Sequence, residues 1–201
     1  MILIHHRRNT IEQLIATSLS HGVEIDLRSN NGEIILHHDP FFEGVNLNEW
    51  IKHFKHRTLI LNVKEEGLEE RLIKTMEEHN VLDYFFLDQS FPFLLRYADS
   101  AERRSAVRFS EYESIETVIS LKNIVNWVWV DCFSKFPLNK SSYQELKGCG
   151  FRLCFVSPEL QGFEPCSAIR QHADIMIRDQ ILPDAICTKF PQHWEELIGQ
   201  V

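Results

Sequence analysis

A chain of 201 residues with 44% hydrophobic and 25% charged side chains has the make-up of a globular domain of ordinary size, which excludes disordered, collagenous and low-complexity classes. Its formal charge of −8, from 21 basic against 29 acidic residues, repels a nucleic-acid backbone, so nucleic acid is not an expected partner. No apolar run approaches the ~20 residues of a transmembrane segment, and Met1-Ile2-Leu3-Ile4 is too short for a signal-peptide core before His5-His6-Arg7-Arg8; a cytoplasmic protein is expected.

The five cysteines, 132, 149, 154, 166 and 187, form no Cys-x-x-Cys pair. They read as reduced, mostly buried thiols.

Along the chain, short apolar runs alternate with stretches of helical spacing. Met1 to His5 reads as a strand. Thr10 to His21 reads as a helix with Ile11, Leu14, Ile15 and Leu19 inward, opened by a Thr10/Gln13 capping box and closed by Gly22. Val23 to Leu27 is a second strand, and Glu33 to Leu36 follows it across Asn30-Asn31-Gly32, a strong turn signal. A helix is expected over 47–54, a strand over 59–63, and a helix over 68–78 with Leu68, Leu72, Ile73 and Met76 inward. Further strands are expected over 84–87, 105–108, 127–130, 152–156 and 185–188. The helices between them fall over 91–98, 114–121, 141–147, 166–178 and 192–198.

Eight strand-helix units argue for a parallel sheet closed as a minimal (β/α)8 (TIM) barrel with short loops, one domain over residues 1–201. No Gly-x-Gly-x-x-Gly and no Gly-Lys-Ser/Thr loop is present, which weakens dinucleotide and nucleoside-triphosphate readings.

In such a barrel the chemistry sits at the C-terminal strand ends. The first strand delivers His5, His6 and Arg7 there, and the second delivers Glu24 and Asp26 on one side, strand side chains alternating with period two. The hairpin ends in His37-His38-Asp39 and the next strand in Asn62-Val63-Lys64; later strands end at Asp88, Arg108, Asp131, Glu159 and Lys189. Two carboxylates in an apolar strand repel unless a cation lies between them. Mg²⁺ or Ca²⁺ suits Glu24 and Asp26 with the amide oxygen of Asn62. Histidines on either side of it can serve as general base and acid, and Arg7 and Lys64 carry charge suited to a phosphate.

The stretch His6-Arg7, Asn9-Thr10, Glu24-Ile25-Asp26 and His38-Asp39-Pro40 resembles the signature of the glycerophosphodiester phosphodiesterases, within the phosphatidylinositol-phospholipase-C-like phosphodiesterases. Lys64, Gln89-Ser90-Phe91 and Ile186-Cys187-Thr188-Lys189-Phe190-Pro191 are weaker echoes. The resemblance implies a barrel enzyme of lipid metabolism with His6 and His38 as the acid/base pair. Arg7 and Lys64 then hold the phosphate of a small-molecule or polymeric substrate, and Glu24 and Asp26 hold Mg²⁺ or Ca²⁺. It also implies a route through a cyclic phosphate, at which a lyase would stop. The chain departs from the pattern in three places. Asn62 stands where an acidic ligand is usual, which leaves Asp131 or Glu159 as candidate helpers. The loop between His-Arg and Asn-Thr is reduced to Arg8, and the cap insertion after His-Asp is nearly absent.

Two other readings remain open on the residues alone. One is a barrel that binds a phosphorylated ligand or partner without turnover; the other is a zinc hydrolase built on the histidine doublets, disfavoured because adjacent strand histidines point to opposite faces. The aromatic group Trp127, Trp129, Phe133 and Phe136 reads as core and rim packing. Phe41-Phe42 reads as a remnant of a cap or a lipid-facing contact.

Overall fold

The structure is a computed structural model and describes residues 1–99 and 102–198. In chain order it runs β1 (Ile2–His5), α1 (Ile11–Ile15), β2 (Gly22–Asn30), β3 (Glu33–Leu36), β4 (Val45–Asn46), α2 (Leu47–Trp50) with a 3-10 turn Ile51–His53, β5 (Leu59–Val63), α3 (Glu69–Glu78), β6 (Tyr84–Leu87) and α4 (Phe91–Asp99). It continues through β7 (Ala106–Phe109), α5 (Ile115–Ser120), β8 (Trp127–Val130), α6 (Lys140–Gly148), β9 (Arg152–Val156), a 3-10 turn Pro158–Gln161, α7 (Pro165–Asp179), β10 (Ala185–Thr188) and α8 (Pro191–Ile198).

The chain forms two compact units, His5–Ser105 and Met1–Ile4 with Ala106–Val201. In the first, β2 is the organising strand. It pairs antiparallel with β3 (Leu27 opposite Leu36) and parallel with β5 (Asp26 opposite Asn62), and β5 continues to β6. A β2 strand of nine residues outruns each partner, so residues just past the ends of β3 and β5 still lie alongside it, His37 N–H bonding to Asp26 O and Lys64 N–H to Leu27 O. Beneath the sheet, Leu14, Ile25, Leu27, Leu47, Trp50, Leu61, Leu72 and Met76 are buried together. Burial of each such side chain stabilises by roughly 1.5–3 kcal/mol relative to exposure.

In the second unit the strands run in the order β7-β8-β9-β10-β1, with parallel ladders from β7 through β10. Their residues are almost all buried, as expected for parallel strands covered on both faces.

One helix departs from expectation. The capping box at Thr10 and Gln13 is present, but α1 ends at Ile15, leaving Ile15 and Leu19 exposed. The Thr17 hydroxyl donates back to Gln13 O and accepts from Arg8 Nε, and the hydroxyls of Ser18 and Ser20 pair with one another. Such local hydroxyl bonds compete with helix continuation. The cysteines are free; Cys132, Cys154 and Cys187 are buried, Cys149 is half-buried and Cys166 is exposed. Among the described residues, no helix is long and apolar enough to cross a membrane.

Candidate active site

Three residues on one face of β2, Glu24, Asp26 and Arg28, organise a polar cluster in the His5–Ser105 unit. Their spacing of two places them on the same side of the strand. Glu24 and Asp26 are essentially inaccessible, at 1% and 0% exposure. Burial, and then the neighbouring Asp26 charge, push the Glu24 carboxyl well above the usual carboxylate range.

Each oxygen has an assignable environment. Glu24 Oε2 accepts the backbone N–H of Arg7 at 2.7 Å, and Oε1 accepts Asn62 Nδ2 at 2.8 Å. Asn9 grips Asp26 twice: its Nδ2 donates to Asp26 Oδ2 at 2.9 Å, and its Oδ1 accepts the Asp26 N–H at 2.9 Å. Arg7 Nε lies 3.4 Å from Asp26 Oδ2, and Lys64 Nζ lies 3.5 Å from Asp26 Oδ1. Asp26 Oδ1 and Asn62 Oδ1 are buried and accept no hydrogen bond.

Two buried carboxylates with an unsatisfied carboxylate oxygen and an unsatisfied amide oxygen beside them make an oxygen donor set that fits a hard cation such as Mg²⁺ or Ca²⁺. No group of three or more His, Cys, Asp or Glu side chains able to hold a metal occurs among the described residues. A cation at this site therefore draws its third donor from the neutral Asn62.

The adjacent histidines at the end of β1, His5 and His6, face different surroundings. His6 Nε2 lies 3.9 Å from Glu24 Oε2. His5 turns instead to His21, with Nε2 2.8 Å from His21 Nδ1 and Nδ1 2.7 Å from an Arg8 guanidinium nitrogen. Burial first, then the charges of Arg8, His21 and His56, lower the His5 pKa to about 4. Arg7, the residue after His6, takes a left-handed backbone, φ 52°. That conformation is held by its N–H on Glu24, by Arg8 N–H on Glu24 O, and by Trp50 Nε1 donating to Arg8 O.

Past the end of β3, His38 Nδ1 lies 2.8 Å from Asp39 Oδ1. With Nδ1 as donor, Nε2 is left for proton exchange. His37 stacks on Phe42 at 5.0 Å, while Phe41 is fully exposed. Lys64 Nζ also donates to Asp88 Oδ2 at 3.1 Å, and beside it opens a cavity of about 180 Å³ with Glu65, Glu66, Asp88 and Ser90 in its wall.

Arg108, Asp131, Glu159 and Lys189 belong to the other unit. There Asp131 accepts from Arg108 at 2.9 Å, from Gln161 Nε2 at 2.7 Å and from Cys132 N–H at 3.0 Å. Glu159 stands on a 3-10 turn rather than on a strand end, and accepts from the Ser157 hydroxyl, the Thr188 hydroxyl and Lys189 N–H. This buried carboxylate ties together the ends of β9 and β10.

A crystal structure of a glycerophosphodiester phosphodiesterase from Agrobacterium tumefaciens str. C58 is similar to this chain with a TM-score of 0.67 and 11% identity, over 98% of this chain and 99% of the other. A glycerophosphoryl diester phosphodiesterase from Parabacteroides distasonis ATCC 8503 is similar with a TM-score of 0.68 and 13% identity, over 99% and 86%. The fold is a (β/α)8 barrel. No family model matches the chain, and no curated protein matches it. At these identities the likeness lies in the fold.

Three participants escape a residue-type reading. Arg28 looks like one more strand-end charge, and Asp39 and Asn9 look like motif neighbours. What marks Asn9 is a pair of hydrogen bonds to Asp26, one to its buried carboxylate and one from its N–H, whereas the sequence marked it only as part of the Asn9-Thr10 motif, with no role attached.

Proposed function

We propose that the protein is a metal-dependent phosphodiesterase that cleaves a glycerophosphodiester or a related alcohol phosphodiester. The observation that carries this reading is the buried Glu24/Asp26 pair, left with unsatisfied oxygens on Asp26 and Asn62 and flanked by His6, Arg7 and Lys64. The fold shared with two phosphodiesterases supports it.

Arg7 and Lys64 supply positive charge for the phosphate oxygens. His38, oriented through Nδ1 by Asp39, exchanges protons through Nε2, and His6 beside Glu24 is its counterpart. One imidazole takes the proton of the attacking hydroxyl while the other delivers a proton to the departing alcohol oxygen. A hydroxyl next to the phosphodiester gives a cyclic phosphate by the same exchange, and water opens it with the two roles reversed; release of the cyclic product makes the reaction that of a lyase. Mg²⁺ or Ca²⁺ held by Glu24, Asp26 and Asn62 would neutralise charge developing on the phosphoryl group. The alcohol side has room in the cavity beside Lys64.

The test is release of glycerol phosphate or its cyclic ester from glycerophosphodiesters with Mg²⁺ or Ca²⁺. Activity is expected to vanish with chelator and in His6→Ala and His38→Ala. A second reading, a barrel that binds a phosphorylated ligand without turnover, is favoured by one observation: Asn62 turns its amide nitrogen to Glu24, and Arg7 and Lys64 already lie beside Asp26. Phosphate-ester binding that survives chelation, with no turnover of any diester, would establish that reading instead.

A further inference from the structure

We infer that Arg28 is a positioning residue that fixes His38 and Lys64 together, an inference that rests on the phosphodiesterase reading of the site. The half-buried Arg28 guanidinium donates through Nε to His38 O at 2.9 Å and through a terminal nitrogen to Lys64 O at 3.2 Å. Both carbonyls lie beyond the ends of their ladders. The β2–β3 pairing stops at Leu27 opposite Leu36, and the β2–β5 pairing stops at Leu27 opposite Val63.

Backbone bonds carry each segment one step further, His37 N–H to Asp26 O at 3.1 Å and Lys64 N–H to Leu27 O at 3.0 Å. After that step no strand partner is left for either carbonyl. Arginine can take both, because its planar fork presents several donors in fixed directions from one side chain. Lysine carries its three donors on one nitrogen and lacks the fork whose separate nitrogens reach the two carbonyls here.

The two segments held are those that carry a proposed proton-transfer group and a proposed phosphate ligand. Through Arg28 their separation is set by the same strand that carries Glu24 and Asp26. Side-chain position in such a site matters steeply, since a displacement of ~1 Å can cost about 100-fold in rate.

Arg28→Ala and Arg28→Lys test this. Both are expected to lower kcat about 10- to 100-fold with KM changed less than about 3-fold. Guanidinium at non-denaturing concentration is expected to restore part of the lost rate to Arg28→Ala and none to Arg28→Lys. The His38 ring resonances of the full chain should shift or broaden in both variants, while those of the exposed His53 and His79 stay in place. Unchanged kcat in folded Arg28→Ala, or unmoved His38 resonances, overturns the inference. If Arg28→Ala does not fold, Arg28→Lys decides by the same two readouts. Absence of turnover in the unaltered protein sinks the phosphodiesterase reading, whereas the resonances judge the clamp independently of activity.

Discussion

Replacing Asn62 by aspartate puts a third carboxylate into the buried pair and separates the cation reading from a self-compensated site. Asn62 is 6% exposed and donates to Glu24 Oε1 at 2.8 Å. In Asn62→Asp that donor becomes an acceptor. A lost hydrogen bond to a charged group costs about 1.5–3 kcal/mol. Two unit charges ~4 Å apart repel by about 4 kcal/mol at an effective dielectric of 20. Part of that is relieved because one of the three acids takes up a proton, so a net loss of roughly 3–5 kcal/mol is expected in chelator at neutral pH. For a chain of this size each kcal/mol moves Tm by about 2–4 °C, which gives a fall of roughly 6–20 °C. Saturating Mg²⁺ or Ca²⁺ should reverse most of it, since a ligand at 100 times Kd adds about 2.7 kcal/mol. The gain should be larger than in the unaltered protein. The assay is thermal unfolding followed by circular dichroism, with chelator and over a cation titration. A variant as stable as its parent in chelator and blind to both cations would refute the claim that Glu24, Asp26 and residue 62 form a cation site.

Asp39→Ala should lower kcat about tenfold with KM little changed, because His38 loses the partner on Nδ1 that orients it; steady-state kinetics on the same diester check this. His5 makes the fold acid-sensitive. Its pKa is lowered to about 4 in the folded state, so the unfolded chain binds the proton more readily. That stability is present above pH ~6.5 and lost as pH falls toward 4, on the order of 2–3 kcal/mol. Urea midpoints at several pH values should show a shallower slope for His5→Gln, and identical slopes would exclude His5 as the cause. Leu72→Ala, at a position with no exposed surface, should cost about 2–5 kcal/mol in the urea midpoint without altering the pH profile of any activity.

The parallel strands were the most legible part of the chain. Five of them, 59–63, 84–87, 127–130, 152–156 and 185–188, fall where the sequence places them, because a strand covered on both faces is built mostly of apolar side chains; Asn62, Arg152 and Thr188 are the polar exceptions. The helix after β1 was less legible. Its apolar spacing runs on to Leu19, but the hydroxyls at Thr17, Ser18 and Ser20 end it by satisfying the backbone and one another, and periodicity carries no record of such competition. The two-residue β4 gave no period to read. At the site, alternation placed Glu24 and Asp26 on one face of β2. It could not tell what Arg28, two residues on, would hold, because the carbonyls it meets belong to segments 10 and 36 residues away.

The same strand explains why so short a chain can assemble such a cluster. The loops here are too brief to hold shape by themselves, with Arg8 alone between the His6-Arg7 and Asn9-Thr10 pairs. Each segment bearing a proposed site residue is instead fastened to β2 by at least one hydrogen bond: Arg7 N–H to the Glu24 side chain, Arg8 N–H to Glu24 O, His37 N–H to Asp26 O, and the carbonyls of His38 and Lys64 to Arg28. Even the unfavourable φ of Arg7 is tolerated because bonds on either side of it over-determine the turn. Precision that longer loops would gain from their own packing is drawn here from a nine-residue strand that outlasts its neighbours. Lengthening a loop of this unit should therefore be tolerated far better than any change to Glu24, Asp26 or Arg28, since an inserted residue costs little closure entropy while a lost anchor frees a whole segment.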